Sequence, residues 1–130
     1  MPKPESGADA LSQRWRVLIV DDSAVDAELT AFTLRDDAAL DVDVLRVDNA
    51  PGLRDALSGF DPHLVLSDLN LPGFSGDEAL DMVRAFRPEL PVVVLTGALP
   101  AGQVPPPADA LVLKDEPERI AEVVRGLLKT

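Results

Sequence analysis

Cysteine is absent from this 130-residue chain, and no apolar run approaches the roughly 20 residues needed to span a bilayer. Without cysteine the chain has no disulfide, no thiolate nucleophile and no thiolate metal site, which fits a reducing compartment. The N-terminus also has no apolar segment of the kind found in signal peptides. We therefore expect a cytoplasmic protein that does not contact a membrane.

Positive charge is also scarce. Lysine and arginine total 12 whereas aspartate and glutamate total 23, so the formal net charge is −11. The phosphates of a nucleic acid would repel such a surface unless the few cations were gathered on one face, and the sequence contains no basic run. We therefore expect no nucleic-acid partner.

The remaining composition is that of an ordinary globular domain, with 46% hydrophobic and 27% charged residues. The length suits one domain with one core. Residues 1–14 are polar, include two prolines and show no sustained periodicity. The sequence therefore predicts a mobile N-terminal tail over residues 1–14 and a single domain over residues 15–130.

Short apolar runs alternate with helix-like segments along this domain. Five runs have the composition of strands: residues 16–20, 42–47, 63–67, 92–95 and 110–113. Four segments have helical periodicity: residues 23–37, 49–60, 76–90 and 116–129. Residues 97–109 hold four prolines and two glycines where a further helix should lie, which predicts an irregular crossover. This pattern predicts a doubly wound α/β domain with a parallel sheet covered on both faces.

The first predicted helix carries two local patterns. Ser23 and Asp26 have the spacing of a capping box, with the shorter aspartate in the place of glutamate. Val25, Leu29 and Phe32 lie on one helical stripe. The second predicted strand, residues 42–47, alternates apolar and polar residues in part, which predicts an exposed edge strand.

Polar side chains follow four of the five predicted strands. Asp21 and Asp22 follow the first strand, Asp68 the third, Thr96 the fourth and Lys114 the fifth. Each residue alone has a structural explanation as a cap, a turn or a solvated side chain. The carboxyl ends of parallel strands, however, meet at one edge, where ligands bind at the reversal of strand order. Three acids at this edge repel one another unless a cation balances them, and hard oxygen ligands suit Mg²⁺.

The segments "VDD", "LVLSDLNLPGFSG", "VVVLTG" and "LVLK" resemble the receiver domain of two-component response regulators, in particular the single-domain chemotaxis regulators. The resemblance spans residues 15–130. It implies a flavodoxin-like sheet of five parallel strands in the order 2-1-3-4-5.

The resemblance also implies a Mg²⁺ site. Asp22 would coordinate the ion directly, Asp21 would assist through water, and Asp68 and the backbone carbonyl of Asn70 would supply further oxygen ligands. Phosphoryl transfer independently calls for such a cation, because the transferring group spreads negative charge over three oxygens.

The phosphoryl-handling residues implied by the resemblance are Asp68, Thr96 and Lys114. Asp68 would accept a phosphoryl group from a phosphohistidine, Thr96 would hydrogen-bond one phosphoryl oxygen and Lys114 would pair with another. The protein would then catalyse its own phosphorylation and dephosphorylation without being an enzyme that turns over a separate substrate.

Several positions depart from the family pattern. Receivers usually carry an aromatic residue three positions before the lysine and a proline directly after it, and here these positions are Leu111 and Asp115. Together with the proline-rich segment 97–109, these departures affect the usual output surface. The resemblance further implies that the residues at the positions of Ala98 and Asn70 tune the lifetime of the acyl phosphate.

The chain ends at Thr130 in its last predicted helix, so we expect a single-domain regulator that signals by docking to another protein or by passing the phosphoryl group on. A sensor histidine kinase or a phosphotransfer protein would supply the phosphoryl group. The downstream protein is not identified by the sequence, and a homodimer is left open.

Two alternatives compete with this interpretation. A pseudo-receiver scaffold would keep the fold and bind a partner without phosphorylation, in line with the departures at Leu111 and at 97–109. A phosphatase of the haloacid dehalogenase type would also use an aspartate nucleophile. It would need a second acid two residues after Asp68, where this chain has Asn70.

Overall fold

The structure is a computed structural model that describes residues 14–71, 73–97 and 108–128. The strands in these ranges are β1 Arg14–Val20, β2 Asp41–Val47, β3 Leu64–Asp68, β4 Asn70–Leu71, β5 Phe74–Ser75, β6 Val92–Thr96 and β7 Ala110–Leu113. The α-helices are α1 Ala24–Phe32, α2 Ala50–Gly59, α3 Gly76–Phe86 and α4 Pro117–Leu128. A π-helical turn, Thr33–Asp37, continues α1.

The main sheet has five parallel strands in the order β2-β1-β3-β6-β7. Counted along the chain, these five strands follow the predicted order 2-1-3-4-5, and the prediction of a doubly wound parallel sheet is confirmed. The partly exposed β2 lies at one edge, also as predicted. The antiparallel hairpin of β4 and β5 directly after β3 was not predicted.

Side chains of the central strands point alternately to the two faces and form two cores. On one face, Ile19 and Leu66 pack with residues of α1 and α4. On the other face, Leu18 and Val65 pack with residues of α2 and α3. Each fully buried aliphatic side chain of this kind contributes roughly 1.5–3 kcal/mol relative to an exposed one. The short, continuous apolar runs found in the sequence at these strands therefore correspond to strands buried on both faces.

The large apolar residues of helix α1 do not lie on its buried face. Val25, Leu29 and Phe32 are 67%, 61% and 61% exposed. The buried face is formed by Ala27 and Ala31, whose small side chains allow the helix to lie close to the sheet. The larger apolar stripe is therefore on the outside, which corrects the usual assumption that such a stripe faces the core.

Two predicted segments fall mainly outside the described residues. Residues 1–13 of the predicted tail and residues 98–107 of the proline-rich crossover are not described, so both assignments stay predictions. The described helices include none long and apolar enough to cross a membrane.

Candidate functional site

The carboxyl ends of the strands bring the predicted site residues to one edge of the sheet. Asp21 and Asp22 follow β1, Asp68 ends β3, Thr96 ends β6 and Lys114 follows β7. Carboxylate oxygens of Asp21, Asp22 and Asp68 lie within 4.8 Å of one another. The Nζ atom of Lys114 lies 3.5 Å from Asp68 Oδ2. The acids and the ammonium, which are up to 93 positions apart in sequence, therefore form one cluster.

Asp21 is the buried member of this cluster, with 3% of its surface exposed. Its Oδ2 atom accepts a hydrogen bond from Lys114 Nζ at 2.9 Å, and its Oδ1 atom accepts one from the Ser23 backbone N–H at 2.9 Å. A buried carboxylate needs partners of this kind because burial removes its water. The two bonds fix the orientation of Asp21.

Lys114 is held by both its backbone and its ammonium. Its backbone N–H donates to the Thr96 carbonyl at 2.7 Å, which continues the pairing of β6 and β7 beyond the strand. Burial lowers the pKa of the ammonium, but hydrogen bonds to Asp21 and Asp26 and the charges of Asp21 and Asp68 raise the pKa above its ordinary value overall. Lys114 is therefore charged at neutral pH. Its stabilising contribution is complete below the ordinary lysine pKa and is lost only as the pH rises above it.

The acids suit a hard divalent cation. All donors are carboxylate oxygens, Asp22 is exposed, and the Asp68 side chain is 16% exposed, so an ion at this edge can keep water ligands as Mg²⁺ prefers. Lys114 alone cannot balance three close carboxylates. Asn70, the other residue assigned to the metal, opens β4 two residues after Asp68.

Thr96 is buried at the end of β6, with 3% of its surface exposed. Asp68 pairs in register with Leu95, so Thr96 lies one position beyond the partner of Asp68 on the neighbouring strand. The Leu69 backbone N–H donates to the Leu95 carbonyl at 3.0 Å and keeps the two strands together past Asp68. The hydroxyl residue is thereby held at the same edge as the acids.

The segment after Asp68 is fixed by backbone contacts. Gly73 has a φ of 68°, which favours glycine in the turn between β4 and β5. The Gly76 N–H donates to the Leu69 carbonyl at 2.8 Å, and a Cβ at Gly76 would lie 2.8 Å from that same oxygen. Ser75 and Glu78 then form a complete capping box at the start of α3. The chain beside Asp68 is therefore anchored on both sides of the hairpin.

Two polar residues of the site were not predicted from the sequence. Asp26 Oδ2 lies 2.9 Å from Lys114 Nζ, although the sequence suggested only a helix-capping role for this aspartate. Arg46 on β2 donates from Nη1 to the Asp21 carbonyl at 3.1 Å. The position of Asp26 in the first turn of α1 was the available signal, because that turn starts directly after the acid pair.

Comparison with known proteins now identifies the family. The profile of the response regulator receiver domain matches residues 17–104. The chain belongs to this family. Receiver domains bind Mg²⁺ at an acidic pocket and interact with histidine kinases or phosphotransfer proteins, and this receiver has the corresponding aspartate cluster.

Relatives and solved structures agree with this membership. The chain is 30% identical over 103 residues to the transcriptional regulatory protein FixJ of Bradyrhizobium diazoefficiens, covering 79% of this chain and 47% of FixJ. It resembles the N-terminal domain of a response regulator/sensory box/GGDEF 3-domain protein from Carboxydothermus hydrogenoformans with a TM-score of 0.75 and 26% identity, covering 88% of this chain and 94% of that one. A CheY-like receiver domain protein from Methanospirillum hungatei gives a TM-score of 0.70 and 25% identity, with coverages of 89% and 94%.

The curated relatives are longer than the shared domain. This receiver spans less than half the length of FixJ and of the mycobacterial DNA-binding response regulator MtrA. Similarity within the receiver domain therefore does not assign the activities of those whole proteins to this chain.

Proposed function

We propose that this receiver accepts a phosphoryl group on Asp68 from a phosphohistidine and signals through the phosphorylated form. The observation that supports this most is the position of Asp68 at the carboxyl end of β3, 3.5 Å from the Lys114 ammonium and within 4.8 Å of Asp21 and Asp22. A carboxylate nucleophile beside a fixed cation and a metal-ligand pair is what phosphoryl transfer requires.

In the proposed reaction an Asp68 oxygen attacks phosphorus, the bond between phosphorus and the histidine nitrogen breaks, and the imidazole leaves with the electron pair. Lys114 would stabilise one phosphoryl oxygen and Thr96 would donate to another. The same site would later admit water for hydrolysis of the acyl phosphate. The protein would thus catalyse its own phosphorylation and dephosphorylation.

Asp21, Asp22, Asp68 and the Asn70 carbonyl are the groups that we assign to a Mg²⁺ ion. When bound, the ion supplies positive charge to the transferring phosphoryl group. Asp21 would act mainly by orienting the site, because its two oxygens are already bonded to Lys114 and the Ser23 N–H.

The assignment of Asp68 is tested by labelling with acetyl phosphate in the presence of Mg²⁺. Intact-protein mass spectrometry should show one added phosphoryl group on the wild-type protein and none on Asp68→Asn. Asp77→Asn is the matched control, because Asp77 is an exposed aspartate in the first turn of α3 and has no place in the site. Labelling that persists in Asp68→Asn contradicts the assignment.

The pseudo-receiver scaffold is the second candidate. It is favoured by the position of the Lys114 ammonium, which lies nearer to Asp21 and Asp26, at 2.9 Å each, than to Asp68. A scaffold would bind neither Mg²⁺ nor beryllofluoride, a phosphoryl mimic, at this edge. A phosphatase of the haloacid dehalogenase type is opposed by Asn70, which stands where a second acid is needed, and turnover of a phosphate ester would be its signature.

The exposed apolar stripe of α1, formed by Val25, Leu29 and Phe32, is proposed as part of the surface that docks the kinase or phosphotransfer protein. The stripe begins within four residues of Asp21, and an apolar face this exposed is typical of a helix that packs against a partner. Docking there would place a phosphohistidine near the acid cluster. We further propose a cytoplasmic regulator that does not bind nucleic acid directly. Formation of a homodimer stays a prediction.

A further inference from the structure

Lys114 is shared among three carboxylates, and one of them has no role in the reaction proposed above. Its Nζ atom lies 2.9 Å from Asp21 Oδ2, 2.9 Å from Asp26 Oδ2 and 3.5 Å from Asp68 Oδ2. An ammonium has three N–H donors and no acceptor. Two of the three donors are therefore hydrogen-bonded to Asp21 and Asp26, while Asp68 lies only at ion-pair distance from the ammonium.

The Asp26 side chain reaches Lys114 because it does not complete a capping box. The Ser23 side chain accepts from the Asp26 N–H at 3.1 Å, which is one half of the box. The other half would need the Ser23 N–H, and that group donates to Asp21 Oδ1 instead. In the complete box at the start of α3, by contrast, Glu78 Oε1 accepts from the Ser75 N–H at 2.9 Å. Asp21 thus displaces Asp26 from the helix cap and leaves its carboxylate for Lys114.

The two close partners of Lys114 differ in how easily they can release it. The Asp21 side chain is 4% exposed, so it would remain a buried charge with little access to water. The Asp26 side chain is 43% exposed, so water can replace the ammonium at modest cost. A cavity of about 60 Å³ beside Asp26 and Lys114, between α1 and α4, leaves room for either side chain to turn.

We propose that Asp26 is a positioning residue that holds Lys114 back from the phosphoryl site on Asp68. To pair with a phosphoryl group on Asp68, Lys114 must first break its hydrogen bond to Asp26. Because this exchange has a cost, Asp26 weakens the retention of the phosphoryl group. Phosphorylation makes this exchange favourable because the phosphoryl group carries about −1.5 to −2 charges, more than the carboxylate that it modifies. The inference rests on the proposed function and adds a residue that determines how tightly the phosphoryl group is held.

The test compares the affinity for beryllofluoride in the wild-type protein, Asp26→Asn and Glu28→Gln. Binding is measured by fluorine NMR at saturating Mg²⁺. Asp26→Asn should bind the mimic roughly three- to tenfold more tightly, because Lys114 loses a competing partner. Glu28 is an exposed acid on the same helix, and residues two apart do not share a face. Glu28→Gln removes the same charge and should change the affinity by less than about twofold.

A separate titration with Mg²⁺ alone distinguishes release of Lys114 from general loosening of the site. The lost negative charge in Asp26→Asn should leave Mg²⁺ affinity unchanged or weaker while beryllofluoride affinity rises. Weaker binding of both, or equal beryllofluoride affinity in wild type and Asp26→Asn, overturns the inference and leaves the proposed function standing. If neither protein binds beryllofluoride, the inference and the proposed function both fail. Asp26→Ser serves as the second variant if Asp26→Asn does not fold.

Discussion

His63 lies just before β3, at the end of the sheet opposite Asp68, and joins the amino ends of β1 and β3. The Nδ1 atom of its ring accepts from the Arg16 backbone N–H at 2.9 Å, and the His63 backbone N–H donates to the Arg16 carbonyl at 2.8 Å. The ring stands edge-on to Trp15 with centroids 5.1 Å apart. Burial and the charge of Arg16 lower the pKa of the imidazole. His63 therefore serves as a structural contact between the two strands, remote from the acid cluster.

This lowered pKa predicts how stability depends on pH. Below the ordinary histidine pKa of 6.5 the unfolded chain binds a proton before the folded protein does, so the His63 contribution is complete above that pH and is lost as the pH falls. His63→Asn keeps an acceptor for the Arg16 N–H but does not titrate. The free energy of unfolding in urea should fall by less in this variant between pH 7 and pH 5, the difference being under about 1 kcal/mol. Equal losses in both proteins would contradict the assignment.

Asp26 shows where prediction from sequence stopped at this scale. Ser23 and Asp26 have the same spacing as Ser75 and Glu78, yet only the second pair closes a capping box. The outcome depends on Asp21, which takes the Ser23 N–H, and on Lys114, which is 88 positions from Asp26. Local spacing identifies a capping pair but contains no information about a distant competitor.

Among the described helices, α1 has the most exposed large apolar side chains and is the one that we propose to dock a partner. Phe32 is 61% exposed on its apolar stripe, whereas Phe86, at the end of α3, is 46% exposed away from that stripe. Phe32→Ser should slow phosphoryl transfer from any purified histidine kinase that labels the wild type by roughly tenfold, as expected for an aromatic interface anchor. Labelling by acetyl phosphate should not change, because that donor needs no docking.

Phe86→Ser is the control for this experiment, since it removes an exposed phenylalanine of the same size elsewhere. This variant should accept the phosphoryl group from the kinase at the wild-type rate. Transfer to Phe32→Ser at the wild-type rate, from every kinase that labels the wild type, would exclude this stripe as the docking surface. Circular dichroism of both variants checks that the helices are intact.

The elements themselves were largely predictable, and the faces of α1 were not. The five main strands read as apolar runs because parallel strands are buried on both sides. In α1, the stripe of Val25 and Leu29 and the stripe of Ala27 and Ala31 both have helical spacing, so periodicity alone does not decide which is buried. The alanine stripe is the buried one because its small side chains allow the helix to lie close to the sheet. The two-residue strands β4 and β5 were too short to give a periodic signal.

The whole molecule combines a net charge of −11 with an acid cluster at one edge of its sheet. Mg²⁺ should stabilise the folded protein because the unfolded chain does not gather Asp21, Asp22 and Asp68. At a free concentration about ten times its dissociation constant, the ion should add roughly 1.4 kcal/mol to the free energy of unfolding. Asp22→Asn should lose most of this gain in thermal unfolding, whereas Asp77→Asn should keep it. An equal gain in all three proteins would show that Mg²⁺ acts elsewhere.

The convergence of strand ends was predictable at this scale because topology alone brings them together. Five short runs and a parallel order place Asp21, Asp68, Thr96 and Lys114 at one edge whatever the helices do. The distances within the cluster were not predictable, since they depend on how Lys114 divides its hydrogen bonds. A family resemblance names the residues of such a site but does not tell which partner the ammonium prefers.

Chemical trapping of the acyl phosphate tests the central claim most directly. After incubation with acetyl phosphate, borohydride reduces an aspartyl phosphate to homoserine, and peptide mass spectrometry locates the altered residue. The proposed site predicts homoserine at position 68 when Mg²⁺ is present and none when Mg²⁺ is chelated. Homoserine at another aspartate, or none at position 68 with Mg²⁺ present, would contradict the claim that this edge of the sheet is a phosphoacceptor site.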